Sequence, residues 1–153
     1  MTGHHDILVD SNVVIYAYDP ADAWKQQRAI VLLDRVAVED RGVVSTQVVN
    51  EYYNGLRKRI SPPLSAVDAE DACRDIMRMF WVWPAGAGLL LDAMRAARRY
   101  GFNYWDALIW AAAREAAAST VLTEDFTDGS TIEGVTFLNP FTESFDLDAL
   151  LAR

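Results

Sequence analysis

Ile7-Leu8-Val9-Asp10-Ser11-Asn12 constrains this chain more than any other stretch. Three consecutive apolar β-formers leave no polar alternation, so they are expected to form a strand covered on both faces, as in a parallel sheet. The run then ends on a carboxylate, a hydroxyl and an amide. Open α/β sheets place their chemistry just past the carboxyl ends of their strands, which puts Asp10 where a site would be. Taken alone, Asp10 is better explained as a turn former, or as the cap of a helix begun by Val13-Val14-Ile15. Its weight comes from what recurs downstream.

Thr120-Val121-Leu122-Thr123 is a second apolar strand that ends in acids, Glu124 and Asp125. Val43-Val44-Ser45, Phe80–Trp83 and Val135–Leu138 read as three more short strands. Helices are expected between them. Ala21–Val38 would bury Trp24, Val31 and Val36, and Gln47–Lys58, capped by Thr46, would align Val48, Tyr52 and Leu56 on one side. Ser65 and Asp68 resemble a capping box opening a helix that runs to about Phe80. Leu89–Tyr100 is closed by Gly101, and Tyr104–Ser119 is apolar nearly all round, which places it in the interior. Gly129 and Gly134 punctuate a loop, and Phe145–Leu151 forms a short terminal helix. Strands alternating with helices imply one α/β domain: a parallel sheet of about four to five strands with helices on both faces. The expected limits are a disordered stub at 1–6 carrying His4 and His5, the domain at 7–141, and a C-terminal tail at 142–153.

A chain of 153 residues, 52% apolar and 24% charged, is long enough to bury a core and too apolar to stay disordered. Cys73 is the only cysteine, which excludes a disulfide framework and cysteine metal sites and favours a reducing cytoplasm. Met1–Asp6 is too short and polar for a signal peptide. The long apolar stretch Tyr104–Ala118 is broken by Asp106, Arg114 and Glu115, so no membrane span is expected. The net charge of −8 neither supports nor excludes a nucleic-acid partner. Arg95, Arg98 and Arg99 share one helix side, and Arg57-Lys58-Arg59 end another helix. Either cluster is a candidate RNA-backbone contact, although such runs are more often solvated faces and Asp92 is spaced to pair with Arg95. The five tryptophans read mostly as core, with Trp24, Trp81 and Trp83 as candidate interface residues.

Four acids stand out. Glu51 lies early in a helix and borders its apolar stripe; a helix dipole alone would favour an acid there by about 0.3–1 kcal/mol. Asp106 sits among Trp105, Leu108, Ile109 and Trp110, where an unpaired carboxylate is costly unless an ion pair or a metal accounts for it. Asp125 repeats the context of Asp10, and Asp128 is a possible further ligand, although loop chemistry explains it as readily. A parallel sheet would bring strand ends and helix starts to one edge. Carboxylates crowded there repel one another unless a hard cation joins them, and Mg²⁺ or Mn²⁺ suits oxygen ligands. Phosphodiester hydrolysis is the chemistry such a site does best.

Leu8-Val9-Asp10-Ser11-Asn12-Val13, Ser45-Thr46 through Asn50-Glu51, Tyr104-Trp105-Asp106-Ala107 and Leu122-Thr123-Glu124-Asp125 together resemble the PIN-domain ribonucleases. Within that family they resemble the VapC-type toxins of bacterial toxin–antitoxin pairs. The resemblance runs from Ile7 to about Phe141. It implies a PIN-like fold and Mg²⁺- or Mn²⁺-dependent endoribonuclease activity. Asp10, Glu51, Asp106 and Asp125 would be the catalytic, metal-binding acids, with Ser11, Asn12, Thr123 and Asp128 supporting them. It also implies an RNA substrate, a small antitoxin and a homodimer. Ser11 stands where threonine is common, and the fourth acid is open between Asp125 and Asp128. The alternatives are a standalone RNA-processing nuclease and an inert binding module, which loss of one or more acids would mark. Haloacid-dehalogenase phosphatases and receiver domains also open on a strand ending in Asp, but they use a lysine near the phosphoryl group. Lys25 and Lys58 are the only lysines, and neither follows a late strand. A histidine-based ribonuclease is disfavoured, because no histidine lies beyond residue 5.

Overall fold

The computed structural model describes residues 4–153. The first strand, β1 (Ile7–Val9), is followed by α1 (Ser11–Tyr16), α2 (Ala23–Val38), β2 (Gly42–Ser45), α3 (Thr46–Lys58) and α4 (Ala66–Met79). Then come β3 (Trp81–Trp83), α5 (Ala87–Tyr100), α6 (Tyr104–Glu115), β4 (Thr120–Leu122), β5 (Thr131–Ile132), β6 (Val135–Leu138) and α7 (Leu147–Leu151). The strands form one sheet in the order β3-β2-β1-β4-β6-β5. Every pairing is parallel except β5 with β6. Successive strand residues point to opposite faces, and Ile7, Leu8 and Val9 are all fully buried, so both faces of the sheet are covered. Around it, α1 to α4 pack on one another and α5 packs on α6.

From β1 the chain first builds outward through β2 and β3, then returns to the other side of β1 for β4 and β6. The strand order therefore reverses between β1 and β4, and the carboxyl edge at such a reversal is where open α/β sheets place their binding crevices. Ile7 pairs with Thr120 and Val9 with Leu122, so Asp10 and Thr123 leave the sheet side by side.

Among the described residues, six strands replace the expected four to five. The extra one is β5, two residues held antiparallel to β6 across Glu133-Gly134, inside what reads as a loop between two glycines. Two residues carry too little periodicity to register in sequence. The cap of α3 is Ser45, whose Oγ accepts from Val48 N–H at 3.2 Å; Thr46, the expected cap, accepts instead from Ala85 N–H. Helix α6 stops at Glu115 rather than Ser119, because Ala117 adopts φ 58° and turns the chain toward β4. An alanine gives no warning of a left-handed turn. Gly101 closes α5 with φ 72°, as its glycine leads one to expect. Gly42 has a different reason to be glycine: a Cβ there would lie 2.0 Å from the buried Phe80 ring.

Tryptophan burial departs most from expectation. Among the tryptophans, all of which lie in the described residues, Trp110 is fully buried, whereas Trp24, Trp81 and Trp105 are each more than half exposed. Val31 is exposed too: α2 buries Ala29, Leu32, Leu33 and Val36, and Trp24 and Val31 border a groove of about 590 Å³ between α2 and the tail. The tail itself is tied down. Arg28 donates to the carbonyls of Pro140, Thr142 and Phe145, and Arg41 to those of Leu150 and Leu151. Of the stub expected at 1–6, residues 1–3 lie outside the described residues. Asp6 is held by the Arg41 guanidinium at 2.6 and 2.8 Å, and the His5 ring lies 4.8 Å from that of Trp81.

Candidate active site

Asp10 is the N-cap of α1 and is 3% exposed, at the carboxyl end of the central strand. One carboxylate oxygen accepts the Ser11 N–H at 2.7 Å, and the other accepts the Thr123 hydroxyl at 2.8 Å. Burial pushes its carboxyl up to about 7. The bonds from Thr123 and Ser11 oppose that rise, and the negative charges of Asp125 and Glu51 add to it. A cap alone would not need a neighbour set of this kind.

Glu51 comes from the second turn of α3. Its carboxylate accepts the Ser11 hydroxyl at 3.0 Å and the Gln47 amide at 2.6 Å. Asp125 follows β4 and is held through its own carboxylate by Asn12 Nδ2 at 2.9 Å, while its N–H donates to Thr123 Oγ1 at 3.1 Å. Asp106 lies in the first turn of α6, which Asn103 caps by accepting the Trp105 N–H at 2.9 Å. Burial raises the Asp106 carboxyl, and Asp125 and Glu51 raise it further. Asp10 and Asp106 thus both feel the charges of Glu51 and Asp125. All four expected acids are brought to one edge by four different elements.

Asp106 is only half-buried, and Trp105 beside it is 63% exposed. The first turn of α6 is therefore open to the cleft, contrary to the fully interior helix read from its composition; complete burial begins at Ala107. Asp128 does not join the acids through any bond. Its carboxylate accepts the Asn139 N–H at 2.8 Å, a bond to the loop after β6. The two basic clusters are also apart from the acids in their bonding. Arg95 is bound to Asp92 and Glu133, Arg114 joins the same two acids, and Arg57 donates to the Leu64 carbonyl. Lys58, Arg98 and Arg99 are exposed.

Two sets of residues at the site escaped sequence reading. Gln47 uses both hydrogens of its amide, one on Glu51 Oε1 and one on the Trp105 carbonyl at 3.1 Å, so it ties α3 to α6. Its four-residue spacing from Glu51 was the available signal. Tyr16, four residues after Asn12 on α1, donates to Glu124 at 2.7 Å, and Lys25 closes the set with bonds to both at 3.1 and 2.9 Å. Helix α1 therefore grips consecutive residues, Asp125 through Asn12 and Glu124 through Tyr16.

The donors at the cleft are all oxygen, the chemistry of a hard cation. Among the described residues, Asn12 Oδ1 is buried there without a hydrogen-bond partner, and the charges of Glu51 and Asp125 raise the carboxyls of Asp10 and Asp106, so positive charge is what the cluster lacks. Among the described residues, no three His, Cys, Asp or Glu side chains are drawn into a ready-made metal cage.

The PIN domain family model matches residues 7–127. Among solved structures, the fold resembles that of VapC20 from Mycobacterium tuberculosis, described as a sarcin-ricin loop cleaving toxin. The two share 20% identity over 83% of this chain and 97% of that one, with a TM-score of 0.63. It also resembles VapBC2 from Rickettsia felis, solved bound to a DNA fragment from its promoter, at 14% identity over 86% of this chain and 96% of that one, TM-score 0.59. No curated protein matches the sequence.

Proposed function

The chain belongs to the PIN-domain family, and on that premise we propose that it is an Mg²⁺- or Mn²⁺-dependent endoribonuclease, the toxin of a VapBC-type toxin–antitoxin pair. One observation carries the reading: Asp10 and Asp106, from separate elements, share the fields of Glu51 and Asp125 at the reversal of strand order. All four acids are present, which disfavours an inert binding module. The similar structures described as VapC20 and VapBC2 support the toxin assignment.

In this reading the cation would sit among Asp10, Glu51, Asp106 and Asp125, bound directly by one or two of them with water completing its shell. When bound, the ion neutralises charge on the phosphate and makes water a better nucleophile. The surrounding side chains keep the carboxylates in place. Ser11 and Thr123 fix the two oxygens of Asp10, and Ser11 and Gln47 fix those of Glu51. Asn12 fixes Asp125. With these bonds preformed, little reorganisation remains when RNA arrives, which is where such sites gain rate.

The partners follow the same reading: an RNA substrate, a homodimer, and a small antitoxin whose basic side chain enters the acidic cleft, as a guanidinium pairs bidentately with carboxylate. No helix among the described residues is long and apolar enough to cross a membrane.

The test is the chemistry of the cut ends. Water attack on the phosphodiester leaves linear phosphate ends, whereas attack by the ribose 2′-hydroxyl leaves a 2′,3′-cyclic phosphate. Incubation with total RNA should yield linear ends only, and protein purified with the product of the neighbouring gene should be a larger, inactive complex by light scattering. Cyclic phosphate ends contradict the mechanism. A complex that cuts as fast as the free protein contradicts the toxin assignment.

A further inference from the structure

We propose that Trp105 is a stacking platform for an unpaired nucleobase of single-stranded RNA, at the rim of the acidic cleft. The inference rests on the nuclease reading and deepens it.

An indole exposed over 63% of its surface gains the fold little, and the same helix shows the contrast. Trp110 is fully buried, and its Nε1 donates to the Ile132 carbonyl at 3.1 Å. Trp105 instead has its main chain fixed and its ring free. Its N–H is held by Asn103 Oδ1 at 2.9 Å, and its carbonyl by Gln47, whose same amide holds Glu51. The ring of Tyr104 supports it at 5.5 Å with a 58° tilt. A large flat aromatic surface is thus locked to one cluster acid through Gln47 and is the chain neighbour of another, Asp106.

Charge says what that surface meets. The chain carries −8, so a polyanion gains little from long-range attraction. Much of its positive charge is committed: Arg95 and Arg114 to Asp92 and Glu133, Lys25 to Glu124, Arg41 to Asp6. Stacking needs no net charge. It accepts any base and contributes about 1–3 kcal/mol per base in single-strand binders. A base splayed onto Trp105 would set the adjoining phosphate beside Asp106.

The test measures binding of a fluorescent single-stranded RNA by anisotropy, with full-length protein in EDTA so that nothing is cut. Steady-state kinetics in Mn²⁺ run alongside. Trp105→Ala should weaken binding by about five- to 160-fold, the range that stacking energies of 1–3 kcal/mol imply. It should raise KM by a similar factor, change kcat less than KM, and leave the melting temperature unmoved. Trp105→Phe should recover most of the affinity. RNA abasic at the stacked position should bind the parent and Trp105→Ala alike, a signature that loss of shape alone cannot produce. Equal affinity of parent and Trp105→Ala for intact RNA overturns the proposal. So does a Trp105→Ala protein that changes oligomeric state while binding RNA normally, which would make the ring an interface between copies. A parent that neither binds nor cuts RNA defeats the nuclease reading itself, and this proposal with it.

Discussion

Asp10→Asn is expected to lower RNA cleavage by more than about a hundredfold while making the metal-free protein melt higher than its parent at pH 8. Outer-shell partners of metal ligands typically matter by 10–100-fold, so loss of a carboxylate that itself binds the ion should exceed that range. The stability gain comes from the buried charge. Asp10 titrates at about 7 in the fold against an ordinary value of 3.8, so the folded state prefers its protonated form. Its contribution is therefore fully present below about pH 4 and lost as pH rises through 7, a difference of at most roughly 4 kcal/mol. Asparagine mimics the protonated form at every pH. Its carbonyl still accepts from Ser11, and its amide faces Thr123. Even half of that energy corresponds to about 4–8 °C in a chain of this size. The gap between variant and parent should be wide at pH 8 and close toward pH 4, read by thermal unfolding in chelator. A variant that melts well below its parent at pH 8 would mean that Asp10 is a structural cap.

Mn²⁺ is expected to raise the melting temperature of the parent and leave Asp10→Asn nearly unmoved. An ion bound only by the native state adds about 2.7 kcal/mol at a hundredfold excess over its dissociation constant, or roughly 5–10 °C here. Protons compete for Asp10, so the rise should grow as the pH passes about 7. No rise at Mn²⁺ concentrations that support cleavage would argue against a preformed site.

The candidate acids of this chain are marked mostly in local sequence. Apolar triplets followed by acids mark strand ends whatever their partners, so Asp10 and Asp125 were legible before any topology was known. Asp106 was legible as a misfit, a carboxylate in an apolar helix. What stayed hidden depends on register between distant segments. Gln47 matters because its amide spans α3 and α6, and Lys25 because it reaches from α2 to Glu124 after β4, and neither relation leaves a periodic trace. Burial misled where composition stood in for geometry: Trp105 lies in an apolar helix but on its first turn, where the stripe meets the open edge of the sheet. The different settings of Asp125 and Asp128 stayed hidden as well, because three residues of loop are enough to send one toward Asn12 and the other toward Asn139.

The most direct measurement is cleavage of a labelled RNA by the purified protein in Mn²⁺, then in excess EDTA, then with Mn²⁺ restored. Cleavage by four clustered carboxylates should stop in chelator and return in full with the ion, for the parent but not for Asp10→Asn. Cleavage that continues unchanged in EDTA, or that Asp10→Asn retains, would contradict the assignment of these acids.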